Sequence, residues 1–315
     1  MGDIEFFDPH FHIWDLSEGT ESGHDASILF KPDGADVFDV AAYEAQLENS
    51  AGLRPVGGVY LEAMSVCHPD MGGEALNALC LKEARWTAAQ LAKSARPYLL
   101  AASCALEAPN AADTLAALAA MPTVRGVRQV LNFAPDWPRN GNLGGDLLAN
   151  EAWRRGYGLL AAHKLSFDLQ LNPPQYAAAA AFVAGHPDVP VIINHLGCPT
   201  LADLTEPARA AVVWDGMAAL AALPHVSIKL SMLCYCAGEG GDWAAEGSPV
   251  AEAVHRVIGL FGSERCFFAS NYPVDAKDGW TADRLFGAFK EAAARYSPEE
   301  QANLFANSAR KAYRA

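Results

Sequence analysis

Phe6-Phe7-Asp8-Pro9-His10-Phe11-His12-Ile13-Trp14-Asp15 runs from an apolar stretch straight into a His-x-His pair. In a β-strand, side chains two apart share a face, so His10 and His12 are expected to project side by side. Two imidazoles on one face, ringed by aromatics and an Asp, are costly to bury unless something uses their nitrogens. A divalent metal or a polarised substrate oxygen is the usual user. Taken alone, the pair reads better as two hydrogen-bonded histidines at a strand end, and the rest of the chain decides the matter.

Short β-rich runs recur at Ile4–Phe7, Val56–Leu61, Tyr98–Ala102, Val124–Leu131, Ser166–Leu171, Val189–Ile193, Val226–Leu230 and Cys266–Ala269. Ala-, Leu- and Glu-rich stretches with helical character lie between them, among them Gly73–Lys93, Pro207–Ala222 and Pro249–Phe261. Polar or small residues close the eight runs: His12, Glu62, Ser103, Arg128, Gln170, His195, Lys229 and Asn271. These ends fall about 37 residues apart, the length of a strand–loop–helix–loop unit. Eight units in strict alternation predict an α/β fold, a (β/α)8 TIM barrel in one domain spanning residues 1–315. Ser297-Pro298-Glu299-Glu300 offers a capping Ser, Pro at the first helical position and Glu at the third. It predicts a C-terminal helix that closes the barrel floor.

Composition narrows the class of function. A formal net charge of −14 argues against a nucleic-acid partner or an anionic membrane surface. No apolar stretch is long enough to span a bilayer, and the first residues are acidic (Asp3, Glu5) rather than basic. Seven cysteines without a spacing pattern read as reduced thiols in a cytoplasmic protein.

Barrel active sites form where the strands end, and that rule sorts the histidines. His10, His12 and His195 end runs one and six. His163, His186 and His225 precede runs five, six and seven and are expected at the opposite, structural end. Trp14, Trp137, Trp243 and Trp280 fall in segments that follow strands. Together with the Gly-rich stretches Gly19–Gly34, Asn132–Gly145 and Gly238–Gly247 they are expected to roof a pocket for a ring-bearing ligand. Trp137 and Trp243 are the rings expected at its wall.

Six segments resemble the strand-end signatures of the amidohydrolase superfamily, in its lactonase-like branch. They are Asp8–Asp15, Gly126–Gln129, Phe167–Leu171, Asn194–Gly197, Lys229–Ser231 and Phe268–Asp275. The resemblance covers nearly the whole chain in the right order. It implies a TIM-barrel hydrolase whose relatives include lactonases of sugar acids and of aromatic-degradation intermediates and, more distantly, decarboxylases; scaffold is shared more firmly than substrate.

The departures from that pattern shape the expected chemistry. Many superfamily members hold two metals through a bridging carbamylated Lys, a fifth-strand His and an eighth-strand Asp. Here the fourth and fifth runs end in Arg128 and Gln170, so a binuclear centre is not expected, and Asn271 stands where the pattern has the general-base Asp. An amide cannot accept the proton of the attacking water. Glu62, first, or Asp275 is expected to supply the base, with unaided metal-bound water as the further alternative; an ion pair with Arg128 is the other reading of Glu62. His10, His12 and His195 form a three-histidine set for one divalent ion, zinc by ligand type; metal-free operation, with the histidines and Arg128 as electrophilic donors, is the alternative. Arg128, Gln170 and Lys229 are expected to hold an anionic lactone. The reading is thus a hydrolase of a lactone or related cyclic ester. Decarboxylation of an unsaturated acid, or a catalytically silent binding barrel, are its alternatives, and homo-oligomerisation is left open.

Overall fold

The computed structural model describes residues 4–16, 35–48, 50–63, 73–133, 145–276 and 279–315. Eight parallel strands form one sheet in sequence order. They are β1 (Ile4–Phe11), β2 (Leu53–Leu61), β3 (Tyr98–Ser103), β4 (Val124–Val130), β5 (Ser166–Gln170), β6 (Val191–Ile193), β7 (Val226–Leu230) and β8 (Cys266–Phe268). Helices follow them as α1 (Val40–Leu47), α2 (Gly73–Leu91), α3 (Ala111–Ala119), α4 (Glu151–Gly158), α5 (Tyr176–Val183), α6 (Pro207–Ala221), α7 (Pro249–Phe261) and α8 (Ala282–Ala293). All eight runs read in the sequence are strands, and the alternation is that of a (β/α)8 barrel.

Side-chain alternation divides the core in two. Phe7, Val59, Leu61, Leu99, Ala101, Ile192 and Phe267 pack together inside the barrel with Tyr313. Their neighbours in sequence, such as Tyr60, Leu100, Val191, Ile193, Ile228, Leu230 and Phe268, join the larger cluster under the helices. Gly126 permits the close approach of β4 to β5, since a Cβ there would lie 2.3 Å from Ser166 Oγ. That contact sets Arg128 opposite Asp168.

The C-terminal helical segment starts at the predicted cap, where Ser297 and Glu300 bond each other's backbone N–H groups. It ends by sending Tyr313 into the barrel interior, where its hydroxyl donates to Asp168 Oδ1 (2.6 Å).

β1 and β8 are joined beyond the end of β8, at the mouth. Asn271 N donates to His10 O and His12 N to Tyr272 O, each at 2.7 Å. Asp8 secures this seam. An irregularity in β1 between Asp8 and Phe11 places its carboxylate to accept from Ser270 N (2.9 Å), Ser270 Oγ, Tyr43 Oη (2.8 Å) and His10 N (3.2 Å). It touches the backbone of His10 and, among the described residues, no histidine ring. Asp8→Ala strands these buried donors and is expected to lower the unfolding free energy by about 3 kcal/mol, read as a lower urea midpoint with an unchanged slope.

Candidate active site

Five strand ends bring buried polar side chains to one place. His10 and His12 come from β1, Glu62 from β2, Arg128 from β4, His195 from β6 and Lys229 from β7. Asn271 and Asp275 follow β8. The His10 ring lies 4.4 Å from that of His195 and 4.9 Å from that of His12, centroid to centroid. The three histidines sorted to the mouth do converge.

Hydrogen-bond chemistry fixes the tautomer of His12. His12 Nδ1 lies 2.8 Å from the Leu61 carbonyl oxygen, which can only accept, so Nδ1 carries the proton and Nε2 a lone pair. Lys229 Nζ donates to Asp168 Oδ1 (2.6 Å) and lies 3.2 Å from His10 Nδ1. Burial draws Lys229 down to about 8, against the pull of Asp168, so at neutral pH it is an ammonium that donates to His10. His10 Nε2 lies 3.2 Å from His12 Nε2 and 3.5 Å from Arg128 Nη1, which can only donate, so both nitrogens of His10 face a cationic donor. The result is a continuous run, Tyr313–Asp168–Lys229–His10–His12–Leu61, along the barrel interior. Both imidazoles are neutral. Burial, seconded by Lys229, holds His10 well below its usual value; burial, seconded by Arg128, brings His12 to about 3.

A bound metal would place its own demands on these donors. Two imidazole nitrogens on one tetrahedral zinc would sit roughly 3.3 Å apart, close to the separation found. Arg128 Nη1, however, stands 3.5 Å from His10 Nε2 and Lys229 Nζ 3.2 Å from His10 Nδ1, so two cations already flank the ring that an ion would share. The oxygen nearest His12 Nε2 is the neutral Asn271 Oδ1 (3.2 Å). Among the described residues, no three His, Cys, Asp or Glu side chains are arranged to hold a metal ion. The residues do not fit the expected three-histidine zinc site.

Glu62 takes up Arg128. Its Oε1 accepts from Arg128 Nε (2.6 Å), its Oε2 from Ser103 Oγ (3.1 Å), and its carbonyl from Arg128 Nη2. Both carboxylate oxygens are engaged, which disfavours Glu62 as the base. Arg128 Nη1 is left facing His10 and donating to Gln170 Oε1 (3.0 Å). Lys229 turns two of its three donors to Asp168 and His10 and is wholly buried, which disfavours it as part of the expected substrate clamp. His195 Nδ1 lies 3.0 Å from Ser231 Oγ. Asn271 Nδ2 donates to Asp275 Oδ1 (2.8 Å), and Asp275 Oδ2 is buried without a hydrogen-bond partner. Burial pushes Asp275 up to about 7, although Asn271 and Cys234 favour its charge.

The aromatic wall needs correction. Trp243 stacks on Trp280 (5.6 Å) and meets Phe289 of α8, which itself stacks on the outward ring of Phe268. Trp243 therefore belongs to the helix side of the barrel wall. Trp137 lies outside the described residues, as do most of the segments 19–34 and 132–145. His186 and His225 bond the carbonyls of Phe182 and Val183 at the end of α5, the structural position expected of them. Asp168, Ser231 and Tyr313 were missed in the sequence. For Asp168 a signal existed, since a charged residue at an inward position of a buried strand demands a partner.

A family model described as an amidohydrolase matches residues 7–315. An uncharacterized protein of Sinorhizobium fredii is 28% identical, with all of each chain covered. An L-fucono-1,5-lactonase of Burkholderia ambifaria is 28% identical over 66% of this chain and 68% of that protein. In fold, the chain is similar to an amidohydrolase of Burkholderia multivorans crystallised with zinc. That likeness has a TM-score of 0.74 at 22% identity and covers 98% of this chain and 99% of that one.

The Lys229–Asp168 pair makes a sharp prediction. Lys229→Met and Asp168→Leu each leave an unpaired buried charge and are expected to cost about 3 kcal/mol of stability. The double variant should recover most of the loss, giving a coupling energy of at least about 2 kcal/mol in a urea-denaturation cycle.

Proposed function

Because the chain belongs to the amidohydrolase family, we propose that it is a hydrolase that opens a lactone or related cyclic ester, with its own side chains rather than a bound ion driving the attack. The observation that carries the mechanism is Asp275. It follows the eighth strand, is tied to Asn271, keeps one oxygen unpartnered and titrates at about 7, where a general base works best at neutral pH.

Ionised Asp275 takes a proton from water as the water oxygen bonds to the carbonyl carbon. Arg128 Nη1 and the His195 imidazole hold the developing oxyanion. Collapse of the tetrahedral intermediate breaks the bond from carbonyl carbon to ring oxygen. The leaving alkoxide recovers the proton from Asp275, and the product is a hydroxy acid. Asn271 serves as the arm that orients Asp275, while Glu62 and Gln170 hold the Arg128 fork in position. With Lys229 committed elsewhere, an anionic group on the substrate is left to Arg128. The L-fucono-1,5-lactonase of Burkholderia ambifaria supports the choice of a lactone over other cyclic esters.

Asp275→Asn is expected to lower kcat roughly 10²–10⁴-fold with little change in ligand affinity. In the wild type, kcat/KM should rise with pH to a plateau above about 7, a limb absent from the variant. Glu62→Gln, which disturbs only the support of Arg128, should retain that limb. Stability supplies an independent check. The raised value means that the native state holds this proton after the unfolded chain has lost it, so stability falls as pH rises through about 7. Asp275→Asn should therefore gain more melting temperature at pH 8 than at pH 5. For the metal, dialysis against a strong chelator is expected to leave both melting temperature and turnover unchanged. Loss of activity restored by stoichiometric zinc would overturn the metal-free mechanism.

A further inference from the structure

Asn194 is completely buried, and neither its Nδ2 nor its Oδ1 has a hydrogen-bond partner. Its backbone is extended (φ −85°, ψ 149°), so the alternation of β6 continues through it. Ile192 faces the barrel interior while Val191 and Ile193 face the helices; Asn194 accordingly points inward, at the mouth. The next residue is His195, whose ring lies against His10. Asn194 thus stands at the inward face of the mouth, one residue before a histidine of the site.

A structural duty for the side chain is hard to find. An Asn before a tight turn normally caps that turn with its side chain. Here backbone groups close the turn by themselves, Gly197 N donating to Asn194 O (2.9 Å) and Cys198 N to His195 O (2.7 Å). The side chain makes no cap bond. An amide buried with both ends bare costs several kcal/mol unless something completes it.

We propose that Asn194 is a specificity-determining residue that hydrogen-bonds a hydroxyl on the carbon next to the scissile carbonyl, an inference that rests on the lactone-opening reading. The amide offers one acceptor and one donor group together. A carboxylate or a carbonyl would use Nδ2 and leave Oδ1 bare. A hydroxyl donates to Oδ1 and accepts from Nδ2, satisfying both. A site built this way rejects the analogue that lacks the hydroxyl more strongly than an apolar pocket rejects a missing methylene. The favoured substrates are therefore saturated, hydroxylated lactones, with unsaturated ring esters lacking that hydroxyl disfavoured.

The test uses δ-lactams, in which a ring nitrogen replaces the ester oxygen and resists hydrolysis. One carries a hydroxyl beside the carbonyl and one lacks it. Calorimetric titration of the wild type should show the hydroxylated lactam binding roughly 10- to 100-fold more tightly. In Asn194→Leu, and in the smaller Asn194→Ala should Leu not fit, the two lactams should bind within about threefold of each other, with melting temperature unchanged or raised. Equal affinities in the wild type, failure of the hydroxylated lactam to bind it, or a preference preserved in the variants would overturn the proposal. So would an equal loss for both lactams together with a lowered melting temperature, since that pattern marks a structural role. Hydrolysis of the corresponding lactones is measured separately. Asn194-dependent binding without any turnover would defeat the hydrolase reading and leave this one standing.

Discussion

An ammonium and a carboxylate held 2.6 Å apart, both wholly out of water, organise this barrel. Either charge alone would be too costly to bury, and together Lys229 and Asp168 are tolerated because each has further partners. Asp168 accepts from Tyr313, which draws the last turn of the C-terminal helix into the floor. Lys229 Nζ meets His10 Nδ1. His10 Nε2 in turn faces Nε2 of His12, whose other nitrogen is set by a main-chain carbonyl. A charge pair in the middle of the barrel thereby connects the docking of the C-terminus with the imidazoles at the mouth.

The same accounting separates ligand identity from ligand capacity. His10, His12 and His195 are residue types that bind zinc, and they stand near one another. What an ion requires is converging lone pairs and an excess of nearby negative charge. Here the charges neighbouring the imidazoles are Arg128 and Lys229, each balanced by its own carboxylate. Catalysis by preorganised donors asks for the opposite field, neutral imidazoles and a fixed guanidinium around a developing oxyanion. The arrangement has that character.

The fold was legible because its signal is repetitive. Eight β-rich runs about 37 residues apart constrain topology far more than any single run does, and their ends differ from the strands found by a few residues. Site membership was legible for the same reason, since strand ends define the mouth. Roles were less so. Glu62 and Arg128 both close strands, which leaves Glu62 open as base or as ion-pair partner, and geometry selects the ion pair, with both carboxylate oxygens engaged. Asp8 shares the two-residue spacing of His10, but the irregularity in β1 turns it to the seam with Ser270, which no periodicity argument anticipates. Trp243 follows a strand in sequence and still packs behind the wall, because a loop's position along the chain does not say which side of a helix it crosses.

Backbone conformation explains why the last three strand ends carry so much of the chemistry. After β6, β7 and β8 the chain passes through left-handed residues that are not glycine: His195 (φ 58°), Met232 (φ 56°) and Asn271 (φ 55°). Each costs on the order of 1 kcal/mol, so an ordinary loop would place glycine there. A left-handed residue reverses the chain within one step and turns its own side chain back over the strand it has just left. For His195 this brings the ring onto His10; for Asn271 it places the amide between His12 and Asp275. Glycine would relieve the strain and lose the group. At His195 and Asn271 the strain falls on side chains the site uses, whereas Met232, and Leu196 and Cys198 beside His195, carry it in the backbone alone; Asn194 and Asp275 are held at fixed offsets from these reversals.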